Sequence, residues 1–430
     1  MTRTPATRAR WVEAALVAAI AVLATLAAWL RLPPIAQRTV WAEDGTIFLN
    51  DAISGSPVEH LFAGYMGYLQ FVPRVLADLT VALAPIDSVG LVLNLASCAV
   101  AGLCAALVYW CAQDVVPARA LRLVLAAITI GAPLLPIEVL GNAANVHWLF
   151  IWTMLWALLY LPRTRVGAWM LGLVGVVAAL SDIQLLFLVP LFFVRRRSSL
   201  VWPPRIGLAV GLFAQIVTSL LSPRQAHSGG LGGAVRAYIG QTALATFIPD
   251  AKLLDHALGD WVVLWSILAI APFVVAFVYV LRRGTWLQRV AVLYLVPGSA
   301  VLWTADSFLN GYGGAALTPH GFSFVRYAVV PSMMLLASIV VAAQVLLTSP
   351  ASGRRIVGGL AAAAVVALLA VHFIPYDTNR SHGPTWDAAV ERAQTACESA
   401  PPSATEPITT APRYGTVRWV FPVPCSRLDE

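Results

Sequence analysis

Apolar positions fall in long runs, not in alternation. The first runs from Ala14 to Leu30, and the next without a charge covers about 88–111. Others follow at about 122–136, 147–161, 166–181, 183–194, 206–221, 261–281, 286–305, 327–347 and 356–374. Most approach or reach the roughly 17–25 residues that carry an α-helix across a bilayer. Strand-like alternation is absent over most of the length, which excludes an outer-membrane barrel. The pattern predicts an all-α polytopic membrane protein with about eleven transmembrane helices.

Two segments depart from the simple span. The stretch at about 67–84 contains Arg74 and Asp78. Each would cost about 2.5–3.5 kcal/mol at a helix centre. It is therefore predicted as an amphipathic helix at the outer interface. The run 183–194 is too short to cross alone. It reads as a half-helix meeting its neighbour at Ser181-Asp182, a break tolerated where it lines a cavity.

Composition sharpens the class. The 430 residues are 59% hydrophobic and 11% charged, against about 25% charged in soluble domains. One soluble core cannot absorb that excess, because cores stop growing near roughly 250–300 residues. Soluble enzymes, collagens, coiled coils, disordered chains and disulfide scaffolds are excluded. The net charge of +7 would suggest nucleic acid in a soluble protein. Here the arginines cluster between apolar runs: Arg119/Arg122, Arg163/Arg165, Arg195-Arg196-Arg197 with Arg205, Arg282/Arg283/Arg289 and Arg354/Arg355. The positive-inside rule accounts for them. The expected partner is the lipid bilayer of the cell membrane, with no nucleic acid.

That rule puts the arginine clusters and the amino terminus in the cytoplasm. It leaves two long outer loops, about 31–87 and 222–260, and an exported tail, 375–430, after a transmembrane domain, 1–374. Trp29, Leu30 and Arg31 occupy the place of a cleavage site, so the first span is expected to stay. Cys98, Cys104 and Cys111 read as buried small hydrophobes. Cys397 and Cys425, in an oxidising compartment, are expected to form a disulfide. No cysteine or histidine spacing suggests zinc.

Ionisable groups beside the outer membrane face carry the chemical information. The first loop reads Trp41-Ala42-Glu43-Asp44-Gly45. The plain reading makes Asp44 the N-cap of a helix starting at Gly45. The functional one makes Glu43 and Asp44 an acidic pair, one member accepting a proton and the other holding a metal or the acceptor. Downstream, Tyr65 and Tyr68 suit an interfacial belt, while Arg74 is suited to a lipid phosphate. The loop Gly141-Asn142-Ala143-Ala144-Asn145-Val146-His147 offers Asn145 and His147. Asp182 ends the fifth span, where an unpaired carboxylate is costly. Arg326 opens the tenth span with a planar donor fork suited to a phosphate, flanked by Asp306 and His320. The second long loop adds Arg224, His227, Arg236, Tyr238, Lys252, Asp255 and His256 around Gly229-Gly230-Leu231-Gly232-Gly233, a mix that suits a mobile loop over a cleft. Glu43, Asp44, His147, Asp182 and Arg326 fall on one face under a topology fixed without them.

With these features the chain resembles the C-type membrane glycosyltransferase superfamily (GT-C) over most of its length. The likeness rests on about eleven spans, a first outer loop with the adjacent acids Glu43-Asp44, and a second long outer loop after the seventh span. It implies transfer of a sugar from a polyprenyl-phosphate donor to a hydroxyl of a glycan, lipid or protein on the extracytoplasmic side. It implies Asp44 or Glu43 as general base and an outer-face arginine such as Arg326 on the donor phosphate, with inversion at the anomeric carbon. His147 and Asp182 match no fixed motif of that superfamily. Some members use a divalent metal such as magnesium or manganese and others do not, which leaves metal dependence open. Mannosyl and arabinofuranosyl transfer both fit, and no residue distinguishes them. The rival classes are a lipid-linked glycan flippase or transporter, which lacks the repeats common in that class, and an assembly subunit whose tail binds a partner.

Overall fold

The structure, a computed structural model, describes residues 5–55, 60–222, 234–235, 237–250, 262–310, 325–401, 403–414 and 417–428. Among them, eight helices are long and apolar enough to cross a membrane. They are Trp11–Arg31, Val89–Asp114, Arg119–Glu138, Ser199–Leu221, Leu264–Arg283, Trp286–Leu309, Arg326–Leu347 and Ser352–Val371. Three shorter apolar helices, His147–Leu159, Arg165–Ala179 and Ile183–Phe193, stand with them. The chain is a multi-pass, mainly helical membrane protein. The Arg326–Leu347 helix is its centre, 89% buried, whereas the outermost spans Trp11–Arg31 and Ser352–Val371 are 17% buried.

Polar contacts sort the helix ends into two groups. At one end the buried Arg31 donates to the carbonyls of Ile130, Ala132, His372 and Phe373 at 2.7–3.1 Å. The last carbonyls of a helix have no intrahelical donor and carry the negative end of its dipole. One guanidinium therefore ties three helix ends together. Asn94 joins this end by donating to the carbonyls of Gln37 and Thr39 at 2.9 and 3.0 Å. At the other end Glu13 pairs with Arg119, and Asp114 pairs with Arg163 and Arg195. Gln344 accepts from the Ala118 amide there, and Gln288 donates to the Val115 carbonyl.

Small residues set the closest helix contact. Gly172 and Gly175 on the Arg165–Ala179 helix face Gly207 and Gly211 on the Trp202–Leu221 helix. A methyl group on Gly207 would collide with the Gly172 carbonyl. Without a hydrophobic drive between helices in lipid, such close backbone approach supplies the attraction.

Two spans differ from simple α-helices. Ile183–Phe193 is a 3-10 helix of 11 residues. At about 2.0 Å per residue it extends roughly 22 Å, less than a bilayer core. The segment 286–305 forms two helices, Trp286–Leu295 and Pro297–Leu309. Pro297 lacks an N–H to continue the helical hydrogen-bond ladder, and the break falls at Val296 before it. Asp306 consequently lies on a helix and not in the loop expected for it.

The first loop and the tail form one lobe. The Phe71–Leu83 helix buries Arg74, Ala77 and Thr80 and exposes Leu79 and Leu83, an inverted amphipathic pattern that suits contact with lipid. The tail contributes the helix Trp386–Cys397 and an antiparallel hairpin, Thr405–Tyr414 against Val417–Pro424. Cys397 and Cys425 are disulfide-bonded. Trp386, Val390, Ile408 and Phe421 share a core with Val40, Trp41, Phe48 and Leu49 of the first loop. The backbone completes the join: Trp386 N donates to Arg38 O at 2.7 Å and Ala411 N to Val40 O at 2.9 Å. A tail with few apolar residues builds its core by borrowing from the loop, so 375–430 is not a free-standing unit.

Candidate functional site

The site is organised by the loop that follows Glu138. Gly141 there takes φ +71°, a left-handed backbone that favours glycine. Arg380, reaching in from the tail, donates to the carbonyls of Leu140 at 2.6 Å and Gly141 at 2.8 Å. Asn142 donates to Glu138 O and accepts from Asn145 N at 2.9 Å. Asp44 closes the set, accepting from Ala143 N at 3.0 Å and Ala144 N at 2.6 Å, one amide on each carboxylate oxygen. Arg380 and Asp44 thus satisfy carbonyls and amides of one loop, and the loop delivers His147 to the first turn of its helix.

Asp44 is therefore an anchor. It does not cap its own helix, a π-helical turn Asp44–Leu49 with no side-chain cap. Its partners lie 99 and 100 residues away. Burial pushes its carboxyl from 3.8 up to about 7, against the pull of the Ala144 and Ala143 amides and of Arg380. Burial likewise lowers Arg380 to about 10, against Asp44.

Glu43 is placed differently. Its Oε2 is buried and accepts no hydrogen bond among the described residues. It lies within electrostatic reach of Arg326 and Tyr68. Arg326 opens the central helix, donating its backbone N–H to Glu138 Oε2 at 3.1 Å and its guanidinium to Glu138 Oε1. The guanidinium also stands 5.3 Å from the Tyr327 ring centroid. Tyr327 meets Trp148 edge-on at 5.5 Å, and Trp148 lies 4.9 Å from the His147 ring. His147 Nδ1 is 2.9 Å from Asp182 Oδ2, and Asp182 Oδ1 accepts from Gln184 N at 2.8 Å. Tyr68 closes the circuit. Its hydroxyl is pushed up by burial first, then by Asp182, Tyr327 and Glu43, against Arg326.

Ring contacts and hydrogen bonds thus run from Asp182 through His147, Trp148 and Tyr327 to Arg326 and Glu138, with Glu43 and Tyr68 in the electrostatic field of that chain. The other sequence candidates do not join it as chemical groups. Asn145 is buried inside the loop, with its amide 3.4 Å from Glu138 O. Arg74 is paired with Asp51 at 2.7 Å and covers the Phe48 ring at 5.6 Å, and Tyr65 packs on the same ring. The structure thus places Arg74 and Tyr65 on the Phe48 ring of the first loop, with Asp51 as the partner of Arg74. Arg224, His227, Arg236, Lys252, Asp255, His256 and His320 lie outside the described residues. Tyr238, which is described, hydrogen-bonds Ser299 at 2.7 Å.

Glu138, Tyr327 and Arg380 belong to the site or its frame without having been singled out for it by sequence. Glu138 carried the same signal as Asp182, a carboxylate closing an apolar run. Among the described residues, no three or more His, Cys, Asp or Glu side chains are arranged to hold a metal ion. The described set offers instead a buried carboxylate, a cation, a His–carboxylate pair and aromatic walls. That arrangement can take a proton, hold an anion and orient a polar ligand. No family model, curated protein or solved structure matches the chain.

Proposed function

We propose that the chain is a membrane glycosyltransferase of the GT-C type, its eight long apolar helices supplemented by the three shorter ones to about eleven transmembrane segments. It moves a sugar from a polyprenyl-phosphate donor to an acceptor hydroxyl on the extracytoplasmic side of the cell membrane. The observation that supports the reading is the buried Glu43 Oε2, which accepts no hydrogen bond among the described residues and lies in the electrostatic field of Arg326. A carboxylate oxygen without a donor, in the field of a cation, is a place for a proton and for a leaving anion.

In this reading Arg326 meets the donor phosphate, with Glu138 fixing its fork. Glu43 takes the proton of the acceptor hydroxyl as the acceptor oxygen bonds to the anomeric carbon. The bond from that carbon to the phosphate oxygen breaks, and polyprenyl phosphate leaves with its charge on Arg326. One displacement inverts the centre. General-base help of this kind supplies typically about 10²–10⁴-fold. Asp44 holds the site together in place of acting as the base. The basic end of the bundle then faces the cytoplasm.

The test is release of polyprenyl phosphate from labelled polyprenyl-phosphate mannose, glucose and arabinofuranose by purified protein in nanodiscs. Release that Glu43→Gln abolishes supports the reading. Labelled lipid crossing a liposome bilayer intact, with no release, replaces it by a flippase.

A further inference from the structure

At the basic end of the bundle one buried arginine is short of partners. The Ile183–Phe193 helix runs into Val194 and the turn Arg195-Arg196-Arg197, and the Trp202–Leu221 helix begins soon after. Arg205, one turn into that helix, is 1% exposed. Its Nη2 donates to the Val194 carbonyl, while its Nε and Nη1 are buried without an acceptor among the described residues. The other buried arginines are better supplied. Arg31 reaches four carbonyls and Arg380 three. Arg74 faces Asp51 at 2.7 Å, and Arg122 has Glu13 at 3.9 Å.

Direct contacts join Arg205 to the basic turn. Its guanidinium stands 5.5 Å from the centroid of the Trp202 ring, and Trp202 Nε1 donates to the Arg196 carbonyl at 3.2 Å. Arg195 is spent on Asp114, which also takes Arg163. Arg196 and Arg197 remain exposed on the turn. Phe193, Trp202 and Ile206 are exposed as well and offer an apolar surface on either side of it.

A guanidinium keeps its charge when buried, and a charge out of water is costly unless it is paired. Both unpartnered atoms are N–H donors, so the group that fits them is an anion rich in acceptors. A phosphate answers that description, and arginine binds it through charge-assisted hydrogen bonds. The apolar residues favour a phosphate that arrives with acyl chains, and a tryptophan suits the headgroup level of a bilayer. The exposed Arg196 and Arg197 favour a headgroup of net negative charge.

We propose that Arg205, with Trp202 and the Arg196-Arg197 turn, forms a binding site for the phosphate of an anionic phospholipid in the leaflet at the basic end. Arg205 Nε and Nη1 are covered, so the phosphate reaches them by displacing a neighbour. Trp202 is that neighbour, an exposed ring that gives up its hydrogen bond to Arg196 O. The site needs no transfer reaction and stands apart from the glycosyl-transfer reading.

The experiment titrates the full chain, purified in dodecyl maltoside, with phosphatidylglycerol, with phosphatidylcholine of the same acyl chains, and with inorganic phosphate. Native mass spectrometry reads the bound lipid, and a thermal scan reads the midpoint, which a ligand of the folded state raises. The wild type is expected to bind phosphatidylglycerol about tenfold more tightly than phosphatidylcholine. Arg205→Gln, which keeps an NH₂ for the Val194 carbonyl, should weaken phosphatidylglycerol about 10–100-fold, the worth of one hydrogen bond to a charged group. The double variant Arg196→Gln, Arg197→Gln should still bind lipid but lose the preference for phosphatidylglycerol. Equal affinity of the wild type for the two lipids, or undiminished phosphatidylglycerol binding in folded Arg205→Gln, overturns the site. Should Arg205→Gln not fold, the double variant decides, because its substitutions are at exposed positions: an unchanged preference overturns the site. An equal rise in midpoint with inorganic phosphate alone overturns the lipid assignment in favour of a soluble anion.

Discussion

Replacing Asp44 by Asn and Glu43 by Gln separates two adjacent acids that look interchangeable in the sequence. Asp44 accepts one backbone amide on each oxygen. An asparagine has one oxygen, so an NH₂ group must face either the Ala143 or the Ala144 N–H. One hydrogen bond to a backbone amide is lost, worth about 0.5–1.5 kcal/mol, and the buried donor left unpaired costs roughly 1–3 kcal/mol more. Asp44→Asn should therefore cost about 3 kcal/mol in the 139–146 loop. At about 1.4 kcal/mol per factor of ten, its amide hydrogen exchange should accelerate about 10²-fold. Glu43 Oε2 has no donor to lose, so Glu43→Gln should leave exchange and melting temperature unchanged while transfer falls about 10²–10⁴-fold. Hydrogen exchange by mass spectrometry, read beside polyprenyl-phosphate release, makes both measurements on one preparation. Full activity in Glu43→Gln, together with native exchange in an inactive Asp44→Asn, would reverse the assignment and refute the reasoning.

Arg380→Ala leaves the buried carbonyls of Leu140 and Gly141 without their donor, and should cost about 2–6 kcal/mol at roughly 1–3 kcal/mol for each orphaned acceptor. Limited proteolysis should then cut the tail that the wild type keeps docked. Asp44 titrates near 7 when folded, against an ordinary 3.8. Its contribution to stability is full below about pH 4 and is lost as pH rises through about 7. The melting temperature should fall across that window, and Asp44→Asn, which cannot titrate, should flatten the fall. Gly207→Val forces a side chain against the Gly172 carbonyl and should separate the two helices, at a cost of at least about 1–3 kcal/mol. Heating scans of the detergent-solubilised protein check it, and a wild-type midpoint would contradict the close approach.

The helices were legible because an apolar run of span length has few places to go besides a bilayer. The arginine clusters then ordered the loops. What the sequence did not display was long-range pairing. Asp44 stands directly before Gly45, so a local cap was the natural reading, yet its donors come from a loop about 100 residues on. Arg380 looked like an ordinary tail residue because the carbonyls it holds lie 239 and 240 residues earlier. Glu138 closes an apolar run and passed as the end of a span until Arg326, 188 residues later, met it. The pairing of Arg74 with Asp51, 23 residues earlier, was likewise not displayed by its interfacial pattern.

In the glycosyl-transfer reading proposed above, the adjacency of Glu43 and Asp44 lets one short segment serve both frame and chemistry. Successive residues on a helix point roughly 100° apart, so neighbouring acids at a helix start cannot share one environment. The environment that receives Asp44 is already filled with amide donors and backed by Arg380, which fixes the segment in position. Fixing Asp44 fixes the backbone of Glu43 beside it, and its Oε2 stays buried without a donor among the described residues. An unpartnered carboxylate normally escapes by turning away or by protonation. Here the strong neighbour holds the weak one in a costly position. That is how a reactive group is kept in place, and it predicts that loosening Asp44 or Arg380 lowers activity through Glu43 even though neither touches the substrate.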